Sequence, residues 1–143
     1  MTIADVLRRK GAQIETTTPA VSLAEAIAQL GARRIGALPV MDNDDGVVGM
    51  FSERDVIFAL RDHGPDVLSW TVERIMTSPV VTVGPDHDVL AALGLMTDRR
   101  IRHLPVCDNG RLVGIVSIGD LVKHRLERIE AEAAAMRSYI QSA

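Results

Sequence analysis

Aligning Pro39 with Pro105 brings the two halves of this 143-residue chain into register without a gap back to Pro19 and Pro85. Arg33-Arg34-Ile35 then meets Arg99-Arg100-Ile101, Leu38-Pro39-Val40 meets Leu104-Pro105-Val106, and Asp42-Asn43 meets Asp108-Asn109. One extra residue in the first turn changes the offset from 66 to 65, after which Val48-Gly49, Ser52 and Asp55 meet Val113-Gly114, Ser117 and Asp120. Thr2 to Leu7 also lines up with Thr71 to Met76 once three residues are inserted near Lys10. Such self-similarity limits the fold to two copies of one small unit, each too small to cover its own sheet and therefore buried against the other.

The grammar of one copy is helix, strand, helix, strand, strand, helix. The leading helices are expected at Thr2–Leu7 and Thr71–Met76, each opened by a threonine cap. Short strands are expected at Ile14–Thr17 and Val80–Val83, each running into a proline. The second helix of copy one starts at the capping box Ser22-Leu23-Ala24-Glu25, and Leu23, Ala26, Ile27 and Leu30 recur at helical spacing. In copy two, Asp86 or Asp88 caps, and Val89, Ala92, Leu93 and Met96 form the stripe. Two strands joined by an Asp/Asn/Gly turn follow, Ala37–Met41 to Val47–Phe51 and His103–Cys107 to Leu112–Val116. The fold class is α/β (α+β). The first repeat spans residues 1–66, the second 67–126, and a helical tail 127–143. Around His63-Gly64-Pro65 the chain joins the copies, with Trp70 packed on the joint.

Composition excludes several functions. With 3% aromatic residues there is no stacking surface for single-stranded nucleic acid, and a net charge of −3 offers no overall attraction to a phosphate backbone. One cysteine, Cys107, excludes an intrachain disulfide and a cysteine-rich zinc site. Asp5 and Arg8 interrupt any signal-peptide core, and no apolar run approaches the roughly 20 residues of a membrane span. The expectation is a cytoplasmic protein that binds neither nucleic acid nor membrane. Enzyme motifs are absent: Gly114-x-x-Ser117-x-Gly119 has the wrong spacing for a hydrolase elbow, and no loop matches a P-loop or dinucleotide fingerprint. His103 and Cys107, four apart on one strand face, stand about 13 Å apart, too far to share a metal or a proton.

The tandem repeat, the Leu-Pro-Val strand, the Gly-x-x-Ser-x-x-Asp corner and the order of elements together resemble the cystathionine-β-synthase-type (CBS) domain in its paired form, the Bateman module. The resemblance covers residues 1–126 and extends to the small stand-alone bacterial members, which carry Ser-Glu-Arg-Asp in the first copy and a C-terminal helical tail. It implies a pseudo-twofold pair with two clefts, a regulatory, signal-transducing and non-enzymatic role, and an adenosine ligand. AMP or NAD is favoured, with ATP, ADP and S-adenosylmethionine also open. The family often stacks two modules, so a homodimer and an unidentified protein target are expected.

An aspartate suits ribose because its oxygens can accept from vicinal hydroxyls, and a serine at a helix start suits phosphate. The same Ser-x-x-Asp pattern is also close to a capping box. Its duplication within the family framework favours ribose binding for at least one corner. The better cleft is expected to use Ser117, Ile118 and Asp120 with Lys10, Gly11, Ala12, Gln13, Ile35, Gly36, Ala37 and Leu38 from copy one, and Arg102 and His103 at the phosphate. The weaker one is expected to use Ser52, Arg54 and Asp55 with Thr77, Ser78 and Val80, because Gly36 and Ala37 stand where Arg102 and His103 stand in the other copy. A ligand-free dimerisation or protein-interaction module is the alternative reading. Past the second copy, Val122, Leu126, Ile129, Ala133, Met136 and Ile140 alternate in spacings of four and three, a heptad-like stripe that suits either the protein's own body or a second chain, with the second chain preferred because the tail extends beyond any repeat unit.

Overall fold

The computed structural model describes residues 1–11 and 13–142. Its two halves repeat one pattern. Helix α1 (Ile3–Lys10) leads, and α2 (Leu23–Arg33), β1 (Ala37–Met41), β2 (Val47–Ser52) and α3 (Glu53–His63) complete the first half. After a 3₁₀ turn at Pro65–Ser69 come α4 (Val72–Ile75), α5 (Val89–Arg99), β3 (His103–Asp108), β4 (Arg111–Ser117) and α6 (Ile118–Ser142).

Local chemistry sets these elements. The Asp5 carboxylate accepts from the Thr2 backbone N–H at 3.0 Å, holding the start of α1. Ser22 accepts from the Glu25 N–H at 3.2 Å, so α2 uses the serine half of the expected box. Asp88, of the two candidates, caps α5 through the Ala91 N–H at 3.1 Å. Strands β1 and β2 pair antiparallel with Ala37 opposite Ser52, and β3 and β4 with His103 opposite Ser117. Each pair carries a bulge, between Val40 and Met41 and between Val106 and Cys107. Asn109 and Gly110, both at positive φ, make the two-residue turn of the second hairpin. Trp70 stands 4.8 Å from the His63 ring with the Arg74 guanidinium 3.5 Å above it, at the joint where the sequence places it.

One expectation needs correction. Ile14–Thr17 and Val80–Val83 are not strands. Each pairs at one residue only, Thr17 beside Val40 and Val83 beside Val106. Thr17 donates to the Pro39 carbonyl and accepts from Met41, and Val83 does the same with Pro105 and Cys107. The next rung toward the N-terminus would need an N–H on Pro39 or Pro105, and the next rung onward one on Pro19 or Pro85. Proline stops the ladder on both sides.

Each leading helix crosses to the core of the other repeat. Ile3 and Val6 of α1 are buried with Val83, Val89, Met96, Leu104, Val106, Val116 and Leu121 of the second repeat. Val67 and Val72 are buried with Leu23, Ala26, Leu38, Val40 and Phe51 of the first. The backbone shows the same exchange: Ile3 donates to the His87 carbonyl and Ala4 to Pro85, while Val72 donates to Val21 and Glu73 to Pro19. Over each sheet the exchanged helix lays one side chain across a glycine. A Cβ at Gly49 would stand 2.5 Å from the Met76 sulfur, and one at Gly114 would stand 2.6 Å from a Leu7 methyl.

Gly49→Val should therefore destabilise the protein by about 1–3 kcal/mol through overpacking. Urea unfolding will read this loss, and adding Met76→Ala should recover part of it by vacating the space.

Candidate functional site

Each corner is first a helix cap. At the start of α3 the Ser52 N–H donates to Asp55 Oδ2 at 2.8 Å, and the Asp55 N–H donates back to Ser52 Oγ at 3.4 Å. At the start of α6 the Ser117 N–H donates to Asp120 Oδ2 at 2.9 Å, and the Asp120 N–H donates to Ser117 Oγ at 3.1 Å. Both capping boxes are reciprocal, so the pattern serves the helices at each corner. In each carboxylate it is Oδ2 that serves the cap. What else reaches the carboxylate, and what lines the space beyond, differ between the two copies.

Beside Ser52 and Asp55 lies a cavity of about 260 Å³. Gly36, Ala37, Met50, Glu53, Arg54 and Phe58 of the first repeat line one side. Thr77, Pro79, Val80, Val81 and Arg100 to His103 line the other. Asp55 Oδ1 faces this space and accepts from the Thr77 hydroxyl at 3.0 Å. Arg54, Arg100 and Arg102 form no side-chain hydrogen bond or ion pair among the described residues. His103 packs against Gly36, where an added Cβ would come within 3.3 Å of the ring, so the glycine makes room for the imidazole. Burial holds the His103 pKa below the ordinary value, helped by the neighbouring positive charges of Arg102 and Lys10 and opposed by Glu53 and Asp120. A neutral imidazole results at pH 7, able both to donate and to accept.

The other corner is filled by its own chain. Lys10, in the last turn of α1, donates to Asp120 Oδ2 at 2.6 Å and to the Ile115 carbonyl at 2.8 Å. Both side chains of the pair are about one-third exposed or less. Burial raises the Asp120 pKa, but the hydrogen bonds from Lys10 and Ser117 outweigh it, and the carboxyl lies below its ordinary value. Gly11 ends α1 at a φ of 95°, Gln13 is exposed, and Ala12 falls outside the described residues.

The structure groups the expected site residues differently from the sequence expectation. Arg102, His103, Gly36 and Ala37 line the cavity of Ser52 and Asp55, the corner expected to lack that basic pair. The pairing of His103 with Ser117 and the Ile118 N–H bond to the Arg102 carbonyl tie that strand end to the Ser117 corner through its backbone. Its side chains line the opposite cavity. Leu38 is fully buried in the first core and Ile118 packs on the second, so neither lines the cavity. Ile35 borders a shallow groove with Ile27, Leu30 and Val56. Ser78 spends its hydroxyl on the Val48 carbonyl at 3.0 Å. Sequence reasoning missed Met50, Glu53, Phe58, Pro79, Val81, Arg100 and Ile101. A signal for Arg100 was present in the repeat: Arg34 and Arg100 both end their helices at positive φ, which sends the chain sharply from helix into strand.

Comparison with known proteins decides the family. The CBS domain model matches residues 2–62 and 72–127. The chain belongs to the CBS-domain family. A CBS-domain containing protein from Agrobacterium tumefaciens superposes with a TM-score of 0.83 at 43% identity, over 87% of this chain and 92% of that one. The CBS domain pair of protein MJ0100, in complex with 5′-methylthioadenosine and S-adenosyl-L-methionine, superposes with a TM-score of 0.77 at 28% identity, over 90% of this chain and 98% of that one. The protein CBSX2, in complex with AMP, superposes with a TM-score of 0.74 at 26% identity, over 88% and 96%. Among the described residues, no helix is long and apolar enough to cross a membrane.

Replacing Lys10 by Met removes the partner of Asp120 and leaves the burial. The Asp120 pKa should rise, read by carboxyl NMR titration. In the native chain, a depressed folded pKa contributes stability above the unfolded value near 3.8 that is lost as pH falls through the folded value. Lys10→Met should weaken this acid dependence.

Proposed function

We propose that this CBS pair is a non-enzymatic sensor of an adenosine nucleotide, and that the ligand binds in the cavity beside Ser52 and Asp55. The observation that carries this reading is the composition of that cavity: three arginines and a neutral histidine, against the two carboxylates of Glu53 and Asp55, around an apolar slot contributed by both repeats. Asp55 Oδ1 accepts from a ribose hydroxyl in place of Thr77. Val80, Val81 and Ile101 offer flat apolar contact to a base. Arg54, Arg100 and Arg102 supply donors and positive charge for phosphate. AMP and S-adenosylmethionine, each held in complex by one of the similar structures, share the adenosyl group, which supports that part of the reading. The arginines favour a phosphate-bearing ligand, AMP or NAD, with ATP and ADP also accommodated, over the sulfonium cation of S-adenosylmethionine.

A ligand touching both repeats shifts their relative packing, provided it binds one arrangement more tightly than the other. A partner protein reads the shift. At the Ser117 corner the second reading is favoured: Lys10 already neutralises the Asp120 carboxylate through Oδ2, and Ser-x-x-Asp there acts as a cap. The exposed stripe of α6 supports a homodimer.

Thermal unfolding against AMP, NAD, ATP, ADP and S-adenosylmethionine tests the proposal. At a hundredfold excess over its dissociation constant, the true ligand should stabilise by about 2.7 kcal/mol, a shift of several degrees. Asp55→Ala should abolish the shift and Asp120→Ala should leave it. A flat response to all five compounds would overturn the sensor reading. A shift lost with Asp120 and kept without Asp55 would move the site to the other corner. The nucleotide should be recovered unchanged after incubation.

A further inference from the structure

Beyond His124, helix α6 has no buried residue, yet it continues for eighteen more. Its exposed apolar residues form one seam. Val122, Leu126, Ile129, Met136 and Ile140 are between 43% and 65% exposed, and Ala133 falls in line with them. In heptad terms Leu126, Ala133 and Ile140 take the a positions, and Val122, Ile129 and Met136 take d. Arg125 and Glu132 then stand at g, and Lys123, Glu130 and Arg137 at e, flanking the seam.

These flanking charges select one arrangement of two helices. In a parallel, in-register pair each g residue meets the e residue five places further along the other chain. Arg125 then meets Glu130, and Glu132 meets Arg137, on both sides of the seam. In an antiparallel pair with its layers centred between Ile129 and Ala133, e meets e and g meets g. Glu130 would face Glu130, Glu132 would face Glu132, and Lys123 would face Arg137, all of like sign. Among the described residues, Glu132 pairs only with Arg128, at 3.5 Å. Arg125, Glu130 and Arg137 have no ion-pair partner among the described residues. Arg9 pairs with Glu127, which stands outside the seam.

We infer that the tail of α6 pairs with a second copy of this chain as a parallel, in-register, two-stranded coiled coil. This rests on the homodimer reading above and adds its orientation and register. A helix this exposed gains little from propensity alone, and the partner supplies the missing burial for the seam.

Sedimentation equilibrium of the full chain, with three variants, tests this. Glu130→Arg replaces attraction by repulsion on both sides and should weaken the dimer by about tenfold. Arg125→Glu in the same chain should restore it. Ala133→Cys, made with Cys107→Ser, should crosslink through symmetric a positions on mild oxidation. A dimer indifferent to both charge changes and without the crosslink overturns this arrangement and leaves the homodimer standing. A monomer at every concentration overturns both. A trimer or tetramer overturns the two-stranded assignment.

Discussion

Each repeat is closed by a helix that precedes the other one. Leu7 lies across Gly114 and Met76 across Gly49, and behind them Ile3 and Val6 or Val67 and Val72 complete the opposite core. The remaining architecture follows from this exchange. It fixes how the two sheets face each other, and so creates clefts that contain residues of both repeats. It also explains the first letter of the Gly-x-x-Ser-x-x-Asp pattern, since a side chain at that glycine would collide with the crossing helix. The motif thus joins three tasks in seven residues: clearance for the exchanged helix, a cap for the next helix, and a carboxylate at the cleft.

Much of the fold was legible because the signals are local and appear twice. The hairpins, their turns and the capped helices fall within a residue or two of their expected positions. The failures are those that depend on contacts between distant residues. Nothing in Thr2 to Leu7 says which core it enters, because its apolar face suits either. The single-rung pairings were legible in principle: Pro19, Pro39, Pro85 and Pro105 remove the N–H groups that a longer ladder needs. The site was legible in its parts and not in its grouping. Arg102 and His103 lie on the strand next to the Ser117 corner, yet their side chains line the cavity of the opposite one. The reach of Lys10 to Asp120 is a tertiary fact that spacing along the chain does not carry.

The duplicated corners have diverged through their surroundings. Their serines and aspartates make the same cap bonds. Lys10 lies in the stretch where the first repeat carries three extra residues, and at the other corner Thr77 brings Asp55 a neutral hydroxyl in place of an ammonium. Positive charge reaches both carboxylates, from inside the fold at Asp120 and from the cavity wall at Asp55. Beside Asp55, guanidinium groups without a side-chain partner among the described residues line the same cavity as the carboxylate.

The proline-limited segments bear on how such a small sheet survives in solution. A strand pair with an open flank is a template on which another molecule can build, and long regular edges invite runaway stacking. Here the outermost stretch of each sheet contributes one rung and then runs into Pro19 or Pro85, which cannot donate the next one. The hairpin is covered on that flank by a segment that cannot itself be extended. A chain that presents an apolar helical seam for one specific association thereby keeps its sheets closed to indiscriminate ones.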